Sequence, residues 1–470
     1  MAVLADAALA DKQSEMTQTE RYRLVLFNHA GTHVLLRQER NRNSLPELRI
    51  PKFKRPAEQI ITLLRDRWGL PALLLWSQLI DQEPDNYYAV FEVSKGDRQV
   101  PPGLDWFPVQ NAASYLNEAD ALFVKASHAK TLQVPFGADS APFSRLGWIY
   151  NLQTWIENIV GPKGVTLGHF SQLSGSEDTS LVKFDTSQLP LWFKAVGQAD
   201  PQEFVNTQIL SALFAEHLPP ILAFDPIRNA WLMESGGETL RHYPDLNTWL
   251  MVVQRLAALQ IESGTRTSDL LRAGCRDVRS TTLLGLVVPF FKVMQELMTQ
   301  QKKICPPPLL KQDLFELAAS VRDALNELSN LGLPDALGHS DFNPGNILIA
   351  EDRCVFIDWY SAHVGNPLLT LEYLLAHRRK SCPGSLAEEQ RLREAYAQWW
   401  LATVSPANIA RALQLAPLVA VYAYAIAGNS WQDANRLARP GIPGYLRSLT
   451  RIMKREASSL KPKEGPCLTC

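Results

Sequence analysis

The chain is poor in cysteine and nearly free of net charge. Its six cysteines are scattered over 470 residues, which fits free thiols in a reducing compartment better than a disulfide framework. With 47 Lys and Arg against 48 Asp and Glu, the formal net charge is −1. That balance removes the electrostatic basis for a dedicated nucleic-acid-binding protein, whose affinity rests on phosphate neutralisation. We therefore expect no nucleic-acid partner.

The sequence also shows no segment that we expect to cross a membrane. The most apolar late segment, Leu415 to Gly428, is too short to cross a bilayer and contains Pro417, so we expect a packed helix there. The first residues lack the positively charged region of a secretory signal and are interrupted by Asp6 and Asp11. These absences predict a cytoplasmic protein with no membrane partner.

What the chain has is the composition of a folded protein. Hydrophobic residues make up 46% and charged residues 20%, and the length corresponds to roughly three domains. Strand-like and helix-like segments mix before Gly236-Gly237, and long amphipathic helical patterns follow it. The predicted divisions are a disordered lead-in 1–19, an α+β domain 20–132, a linker 133–145, a strand-rich segment 146–235, a helical segment 236–457 and a flexible tail 458–470.

The first domain begins with a predicted hairpin. Arg21 to Phe27 and His33 to Arg37 are β-like runs joined by a turn, and Ala57 to Trp68 reads as an amphipathic helix stopped by Gly69. The other elements predicted before residue 236 are strands at 73–79, 87–93, 165–171, 180–184, 191–196 and 230–234 and helices at 111–122, 147–160 and 206–216. Beyond residue 236 the predictions are helices at 246–259, 309–331, 387–404 and 407–426 and a hairpin of 346–350 with 354–359.

One segment, Leu337 to Pro367, concentrates groups that suit phosphoryl transfer. It places His339, Asp341, Asn346 and Asp358 within 20 residues, on a loop followed by the predicted hairpin. Asn and Asp side chains offer the hard oxygen donors that Mg²⁺ prefers. A further carboxylate beside them can orient or deprotonate a hydroxyl nucleophile, and phosphoryl transfer depends mainly on such positioning and charge neutralisation.

The run H-S-D-F-N-P-G-N-I-L, residues 339–348, followed by F-I-D-W, residues 356–359, resembles the catalytic loop and metal strand of the aminoglycoside phosphotransferase and choline kinase-like family. The resemblance implies an α+β, two-lobed protein-kinase-like fold. It implies that Asp341 is the catalytic base, supported by His339 within the loop, and that Asn346 and Asp358 bind Mg²⁺.

Three positions depart from the family pattern. Ser340 stands where Gly is usual, Asn343 where His is usual, and Asn366 replaces the Asp of a Gly-Asp-Pro. Neither of the first two changes removes a catalytic atom, and the third bears on local hydrogen bonding more than on metal binding.

A kinase-like fold also requires a lysine on a strand upstream. Alternation in Leu191 to Val196 points Lys194 away from Phe193 and Ala195, and the resemblance implies that Lys194 contacts the α/β-phosphates. A solvent-facing lysine is the alternative. Glu203 is the best candidate for its acidic partner, with Glu216 as a rival.

Two more segments are implied in nucleotide binding. The small-residue stretch 173–180 supplies Gly175 and Ser176, whose backbone N–H groups would face phosphate. It is not a G-x-G-x-x-G sequence, and an ordinary hairpin turn explains it nearly as well. Glu234 before Gly236 resembles the hinge that binds the adenine edge.

Residues 20–132 resemble a Nudix domain in their early hairpin, in Trp68 to Leu70 at a helix end and in Trp106 to Pro108 before a helix. When the Nudix metal-binding pattern is anchored on Gly69 and Leu70, only Asp66 keeps a carboxylate. Because a Mg²⁺–diphosphate site needs several converging oxygens, we expect a degenerate Nudix-like module with a binding or structural role. An unrelated α+β domain is the alternative.

The sequence therefore predicts a small-molecule kinase that uses ATP (or GTP) and Mg²⁺ and has a nucleotide and a small hydroxylated compound as its partners. The acceptor and the oligomeric state stay open, because one fold serves many substrates. The alternative is a nucleotide-binding regulatory or scaffold protein with little or no transferase activity.

Overall fold

The computed structural model describes residues 18–38, 43–52, 55–81, 83–94, 100–132, 141–351, 353–381 and 385–460. They form two compact units. The N-terminal unit contains the described residues through Phe204 together with Pro220–Ser235, and the C-terminal unit contains Val205–Pro219 and the described residues from Gly236 onward. The predicted lead-in 1–19, linker 133–145 and tail 458–470 fall largely outside the described residues.

The N-terminal unit holds two sheets. Its strands are β1 Thr19–Asn28, β2 His33–Arg37, β3 Glu47–Pro51, β4 Ala72–Leu79, β5 Asn86–Val93, β6 Leu104–Pro108, β7 Leu167–Gly175, β8 Ser180–Thr186, β9 Leu191–Ala195, β10 Ile221–Asp225 and β11 Ala230–Glu234. The first sheet has the order β4-β5-β1-β2-β6, with β3 on β1, and its β1–β5 pair is parallel. The second sheet has the order β10-β11-β9-β8-β7 and is antiparallel.

Both faces of the first sheet are buried. In β1, Leu24 and Leu26 point to one hydrophobic cluster, while Val25 and Phe27 point to another. The second cluster also contains Phe193 of the other sheet. The sequence predicts residues 20–132 and 146–235 as separate domains, yet the described residues of 20–132 share a continuous core with 146–204 and 220–235 within this unit.

The helices of the N-terminal unit are α1 Pro56–Trp68, α2 Ala112–Tyr115, α3 Glu118–Leu132 and α4 Trp148–Val160, and α5 Gln202–Leu213 begins there. The single helix predicted at 111–122 is wrong, because the chain is extended at Leu116. Asn117 then accepts a 2.8 Å hydrogen bond from the backbone N–H of Asp120 and starts a second helix.

The C-terminal unit carries two small sheets. Its strands are β12 Glu238–Thr239, β13 Arg276–Val278, β14 Ala336–His339, β15 Ile347–Ala350, β16 Arg353–Phe356 and β17 Ala362–Gly365, in the orders β12-β15-β16 and β13-β17-β14. Gly237, at φ 106°, lies so close to the hairpin that a Cβ there would be 2.1 Å from the carbonyl oxygen of Ile349. Only glycine fits this approach.

Helices make up the rest of the C-terminal unit. They are α6 Leu246–Ser263, α7 Thr267–Arg272, α8 Ser280–Thr299, α9 Lys311–Asn330, α10 Leu368–Ser381, α11 Leu386–Gln398, α12 Pro406–Ala427, α13 Ala434–Leu437 and α14 Ile442–Leu460. In the two units together, short 3₁₀ turns occur at 109–111, 161–163, 215–217, 240–242, 264–266 and 359–361. The predicted α+β class, with strands concentrated before residue 236 and helices after it, is confirmed.

Two of these helices, α8 and α12, are long and apolar enough to cross a membrane by length and composition alone. In the structure both pack against neighbouring helices, α8 on α9 and α14, and α12 on α9, α10 and α14. Buried residues such as Val287 in α8 and Val419 in α12 line those contacts.

Candidate active site

The predicted catalytic loop runs from the end of β14 to the start of β15 in the C-terminal unit. Backbone hydrogen bonds close it: the N–H of Asn343 donates to the carbonyl of Asp341 at 2.8 Å, and the N–H of Asn346 donates to the carbonyl of Asn343 at 2.9 Å. The N–H of Ile357 then donates to the carbonyl of Asn346 at 3.0 Å. The loop and the residue before Asp358 are therefore joined directly.

The Asp341 side chain is exposed but held by three donors. Its Oδ1 accepts from the Tyr373 hydroxyl at 3.0 Å and from Asn343 Nδ2 at 3.1 Å. Its Oδ2 accepts from Asn346 Nδ2 at 3.3 Å. A carboxylate fixed in one orientation and open to solvent suits a group that must meet an incoming hydroxyl.

His339 lies beneath this loop and is 1% exposed. Its Nδ1 accepts from the backbone N–H of Asp341 at 3.1 Å, so its Nε2 carries the proton and donates to the carbonyl of Ile357 at 3.1 Å. Burial lowers the pKa of His339 below its ordinary value, although Asp358 and Asp341 oppose the shift. His339 is therefore a neutral ring that ties the backbone of Asp341 to that of Ile357.

The residues predicted to bind Mg²⁺ have donor atoms that fit this ion. The Nδ2 of Asn346 donates to the carbonyl of Asp341 at 2.9 Å and to the Asp341 carboxylate. Among the described residues, no donor to the Oδ1 of Asn346 is found. Asp358 follows β16 at φ 67° and begins the 3₁₀ turn Trp359–Ser361. One amide oxygen and one carboxylate leave the remaining Mg²⁺ positions to water and phosphate. The described residues contain no group of three or more His, Cys, Asp and Glu side chains arranged for a metal.

Each departure from the family pattern has a local partner. Ser340 Oγ lies 3.0 Å from His363 Nδ1. Asn343 Oδ1 accepts from the N–H of Gly345 at 2.8 Å and from Arg241 Nη2 at 3.2 Å. Asn366 Oδ1 accepts from the N–H of Leu368 at 3.1 Å and caps α10. The substituted residues thus keep the hydrogen bonds of the loop and of the following helix.

An aromatic cluster that the sequence does not reveal lies beside Asp341. Tyr373 packs against Tyr424 and His377, with ring centroids 5.2 Å and 5.0 Å away, and Tyr445 lies 6.4 Å from Tyr424. Burial, with Tyr424 and Asp341 beside it, raises the pKa of Tyr373 far above its ordinary value, so the hydroxyl stays a donor. Burial lowers the pKa of His377, and the cations Lys380 and Arg241 add to that shift.

Other aromatic residues of the C-terminal helices are mostly buried. Trp400, Tyr422 and Trp431 are buried, whereas Trp399 is 45% exposed. Tyr424 alone among them reaches the neighbourhood of Asp341, through Tyr373.

In the N-terminal unit, Lys194 of β9 pairs with Glu203 of α5. Lys194 Nζ lies 2.5 Å from Glu203 Oε1 and 5.7 Å from the Trp231 ring centroid. The neighbours Phe193 and Ala195 are buried on the opposite face, as the alternation predicts. The rival acid, Glu216, instead lies 3.9 Å from Arg255 in the C-terminal unit.

The turn between β7 and β8 is a tight hairpin whose amide groups already have partners. The N–H of Ser176 donates to the carbonyl of Thr179 at 2.9 Å. Ser176 Oγ accepts from the N–H groups of Asp178 at 3.3 Å and Thr179 at 3.1 Å. The predicted phosphate contacts of Gly175 and Ser176 therefore compete with bonds inside the turn.

The predicted hinge is similarly engaged. The N–H of Glu234 donates to the carbonyl of Pro220 at 3.0 Å, and the N–H of Ser235 donates to the carbonyl of Pro190 at 3.0 Å. The adenine-binding role of Glu234 stays a prediction.

In helix α1, Asp66 is exposed and pairs with Arg65. The Nudix-like resemblance of residues 20–132 also stays a prediction.

Comparison with known proteins bears on the segment that carries the loop. Residues 290–411 match the sequence model of a phosphotransferase enzyme family, APH. This match includes His339, Asp341, Asn346 and Asp358, and it confirms the predicted family relationship for that segment. No curated protein matches the chain.

Solved structures give weaker similarities. A choline kinase, LicA, from Streptococcus pneumoniae is 14% identical, with 66% of this chain and 99% of that chain covered and a TM-score of 0.41. A choline/ethanolamine kinase family protein from Mesorhizobium loti is 17% identical, with 68% and 95% covered and a TM-score of 0.41. A spectinomycin phosphotransferase, APH(9)-Ia, solved with ADP and spectinomycin, is 13% identical, with 65% and 98% covered and a TM-score of 0.40. At these values the similarities say nothing about the substrate of this chain.

The Ser340–His363 contact yields a prediction about stability. His363 is buried, its Nδ1 lies 3.0 Å from Ser340 Oγ, and its Nε2 has no hydrogen-bond partner among the described residues. Ser340→Gly, which introduces the residue usual in the family, should lower the free energy of unfolding by about 1–3 kcal/mol because the buried Nδ1 loses its hydroxyl partner.

Chemical denaturation measures this change, with Ser329→Ala as the control, because Ser329 is exposed and bonds only within its own helix turn. Ser340→Gly with unchanged stability would show that the contact with His363 contributes nothing.

Proposed function

We propose that the chain is a cytoplasmic small-molecule kinase that transfers the γ-phosphoryl group of ATP (or GTP) to a hydroxyl of a small acceptor. The observation that carries the proposal is the hydrogen-bonded frame that holds Asp341, Asn346 and the strand before Asp358 around one neutral histidine. The family match of residues 290–411 supports the same assignment.

Asp341 is the base in this proposal. The acceptor hydroxyl gives its proton to the Asp341 carboxylate as its oxygen forms a bond to the γ-phosphorus. The bond between that phosphorus and the β–γ bridging oxygen breaks, and ADP (or GDP) leaves with the electron pair. Tyr373 and Asn343 hold the carboxylate in the orientation this transfer needs.

Asn346 and Asp358 would hold Mg²⁺, which neutralises phosphate charge when bound. Lys194, fixed by Glu203, would contact the nucleotide phosphates in the N-terminal unit. Both roles follow the chemistry of the side chains: a hard cation takes amide and carboxylate oxygens, and an ammonium group takes phosphate oxygens.

The first prediction from the proposed function concerns Asp341. Asp341→Asn keeps the shape of the side chain but removes the base, so turnover should fall by about 10²-fold or more while Mg²⁺–nucleotide binding persists. The measurement is an ATP- and GTP-consumption screen against amino-alcohols, sugars, aminoglycosides and choline-like compounds. The exposed Asp66→Asn is the matched control and should keep full turnover.

The proposal fails if Asp341→Asn retains turnover within a few-fold of the unaltered protein. Asp358→Asn separates the metal role from the base role. Asn tolerates the positive φ of 67° at this position, so the backbone stays intact while a charged ligand is lost. This variant should lose Mg²⁺-dependent nucleotide affinity, which Asp341→Asn retains.

A second prediction concerns Tyr373. Tyr373→Phe removes the 3.0 Å hydrogen bond to Asp341 Oδ1 and leaves the ring packing in place. Because hydrogen bonds to charged groups contribute about 1.5–3 kcal/mol, kcat should fall about 10- to 100-fold with little change in the KM for nucleotide. Tyr360→Phe, at an exposed tyrosine outside this cluster, is the control. An unchanged kcat would mean that Tyr373 does not orient the carboxylate.

One observation favours a second candidate, a nucleotide-binding regulatory protein with little transferase activity. The amide groups of the β7–β8 turn are bonded within the turn, which reduces what this segment can offer to phosphate. Mg²⁺-dependent nucleotide binding without consumption across the whole acceptor screen would favour this candidate.

A further inference from the structure

Residues 18–132 take no part in the proposed chemistry, yet they contact the hairpin β7–β8, whose strand β8 pairs with the strand of Lys194. The contacts all lie within the N-terminal unit. In the pairing of β8 with β9, Leu181 stands opposite Lys194. A contact that holds the hairpin in position therefore also holds β8, the strand that pairs with the strand of Lys194.

In the first contact, a side chain of β7 bonds to the backbone of β4 in the way that a neighbouring strand would. Gln172 of β7 is 3% exposed, and its Oε1 accepts from the N–H of Leu74 at 2.8 Å while its Nε2 donates to the carbonyl of Leu74 at 3.0 Å. Leu74 lies at an irregularity in the β4–β5 pairing, and Gln172 lies at one in the β7–β8 pairing. The two sheets are thus joined by one buried amide that satisfies both backbone groups.

This contact also explains the glycine of the turn. A Cβ on Gly175 would lie 2.3 Å from Gln172 Nε2. The glycine is therefore required by the close approach of Gln172, and its presence alone does not indicate a flexible phosphate-binding loop.

The second contact holds the tip of the hairpin. Lys130 of α3 forms a short ion pair with Glu177, and its ammonium lies 4.7 Å from the Trp76 ring centroid. The N–H of Phe143 donates to the carbonyl of Glu177 at 3.0 Å. Both the side chain and the backbone of Glu177 are therefore anchored by residues that precede the second sheet.

The same region reaches the strand of Lys194. The Phe143 ring lies 6.1 Å from that of Phe193. At the hairpin tip, a Cβ on Gly197 would lie 2.9 Å from Asp178 Cβ, so the tip packs against the chain three residues after Lys194. The anchored hairpin and the lysine strand thus form one packed arrangement.

We propose that residues 18–132 position the β7–β8 hairpin beside Lys194 and thereby set the affinity for the nucleotide phosphates, with Lys130 and Gln172 as positioning residues. This inference rests on the proposed nucleotide contact of Lys194. Three N–H groups of the turn, those of Ser176, Asp178 and Thr179, are bonded within it, so its placement depends on outside anchors. Leu74 of the first sheet and Lys130 of α3 supply two of those anchors.

The test uses the full-length protein and measures the Kd for Mg²⁺–ATP by calorimetry and the KM and kcat for ATP. Lys130→Met removes the charge but keeps an apolar stem over Trp76. Because the ion pair is partly exposed, the Kd and the KM should rise about three- to five-fold with kcat at saturating ATP unchanged. Lys130→Arg should restore the affinity, and Lys125→Met, an exposed lysine of the same helix, should leave it unchanged.

Gln172→Met is the stronger variant, because the Leu74 groups would lose both partners, and its Kd should rise about tenfold or more. Lys130→Met, at a partly exposed position, keeps the test valid if Gln172→Met does not fold. Lower thermal stability with unchanged affinity in Lys130→Met would reveal a purely structural contact and overturn the inference. So would normal affinity in both variants while Lys194→Met abolishes binding. A wild-type protein with no nucleotide affinity would instead contradict the proposed function.

Discussion

The C-terminal site depends on one buried imidazole that makes two hydrogen bonds in opposite directions. His339 accepts from the backbone of Asp341 and donates to the backbone of Ile357, and Asn346 closes the same frame through its own amide. Only the neutral ring with its proton on Nε2 can do both, and burial favours that form. The positions of the Asp341 backbone and of the strand before Asp358 therefore depend on the protonation state of this buried residue.

In the N-terminal unit, hydrogen bonds and an ion pair shape the β7–β8 turn and hold it in place. A flexible glycine-rich loop would gain its shape on binding phosphate, whereas the β7–β8 turn is preformed by Ser176 and anchored through Gln172 and Glu177. A preorganised element loses less conformational entropy on binding, but it must be held at the right place. Holding the turn in place is the role that we propose for residues 18–132.

The sequence pointed to the candidate site because chemistry and local structure coincide there, and it missed contacts between distant parts of the chain. His339 to Asp358 could be found because one loop and one hairpin hold all four groups within a short segment. Tyr373 could not be predicted, because α10 is buried on several sides and shows no helical period. Gln172 bonds to a residue 98 positions away, which no local pattern records. By contrast, our sequence analysis did not predict α14, although its sequence has a clear amphipathic pattern that includes Leu449 and indicates a helix.

The most direct test of this account is the tautomer and titration of His339 by nitrogen-15 NMR of histidine-labelled protein, with His339→Asn to assign the signal. The account predicts a ring protonated at Nε2 and unprotonated at Nδ1 at pH 7, with a pKa below that of an unperturbed histidine, which is near 6.5. A ring protonated at Nδ1, or one that titrates near pH 6.5, would contradict the account, because Nδ1 could then not accept from Asp341.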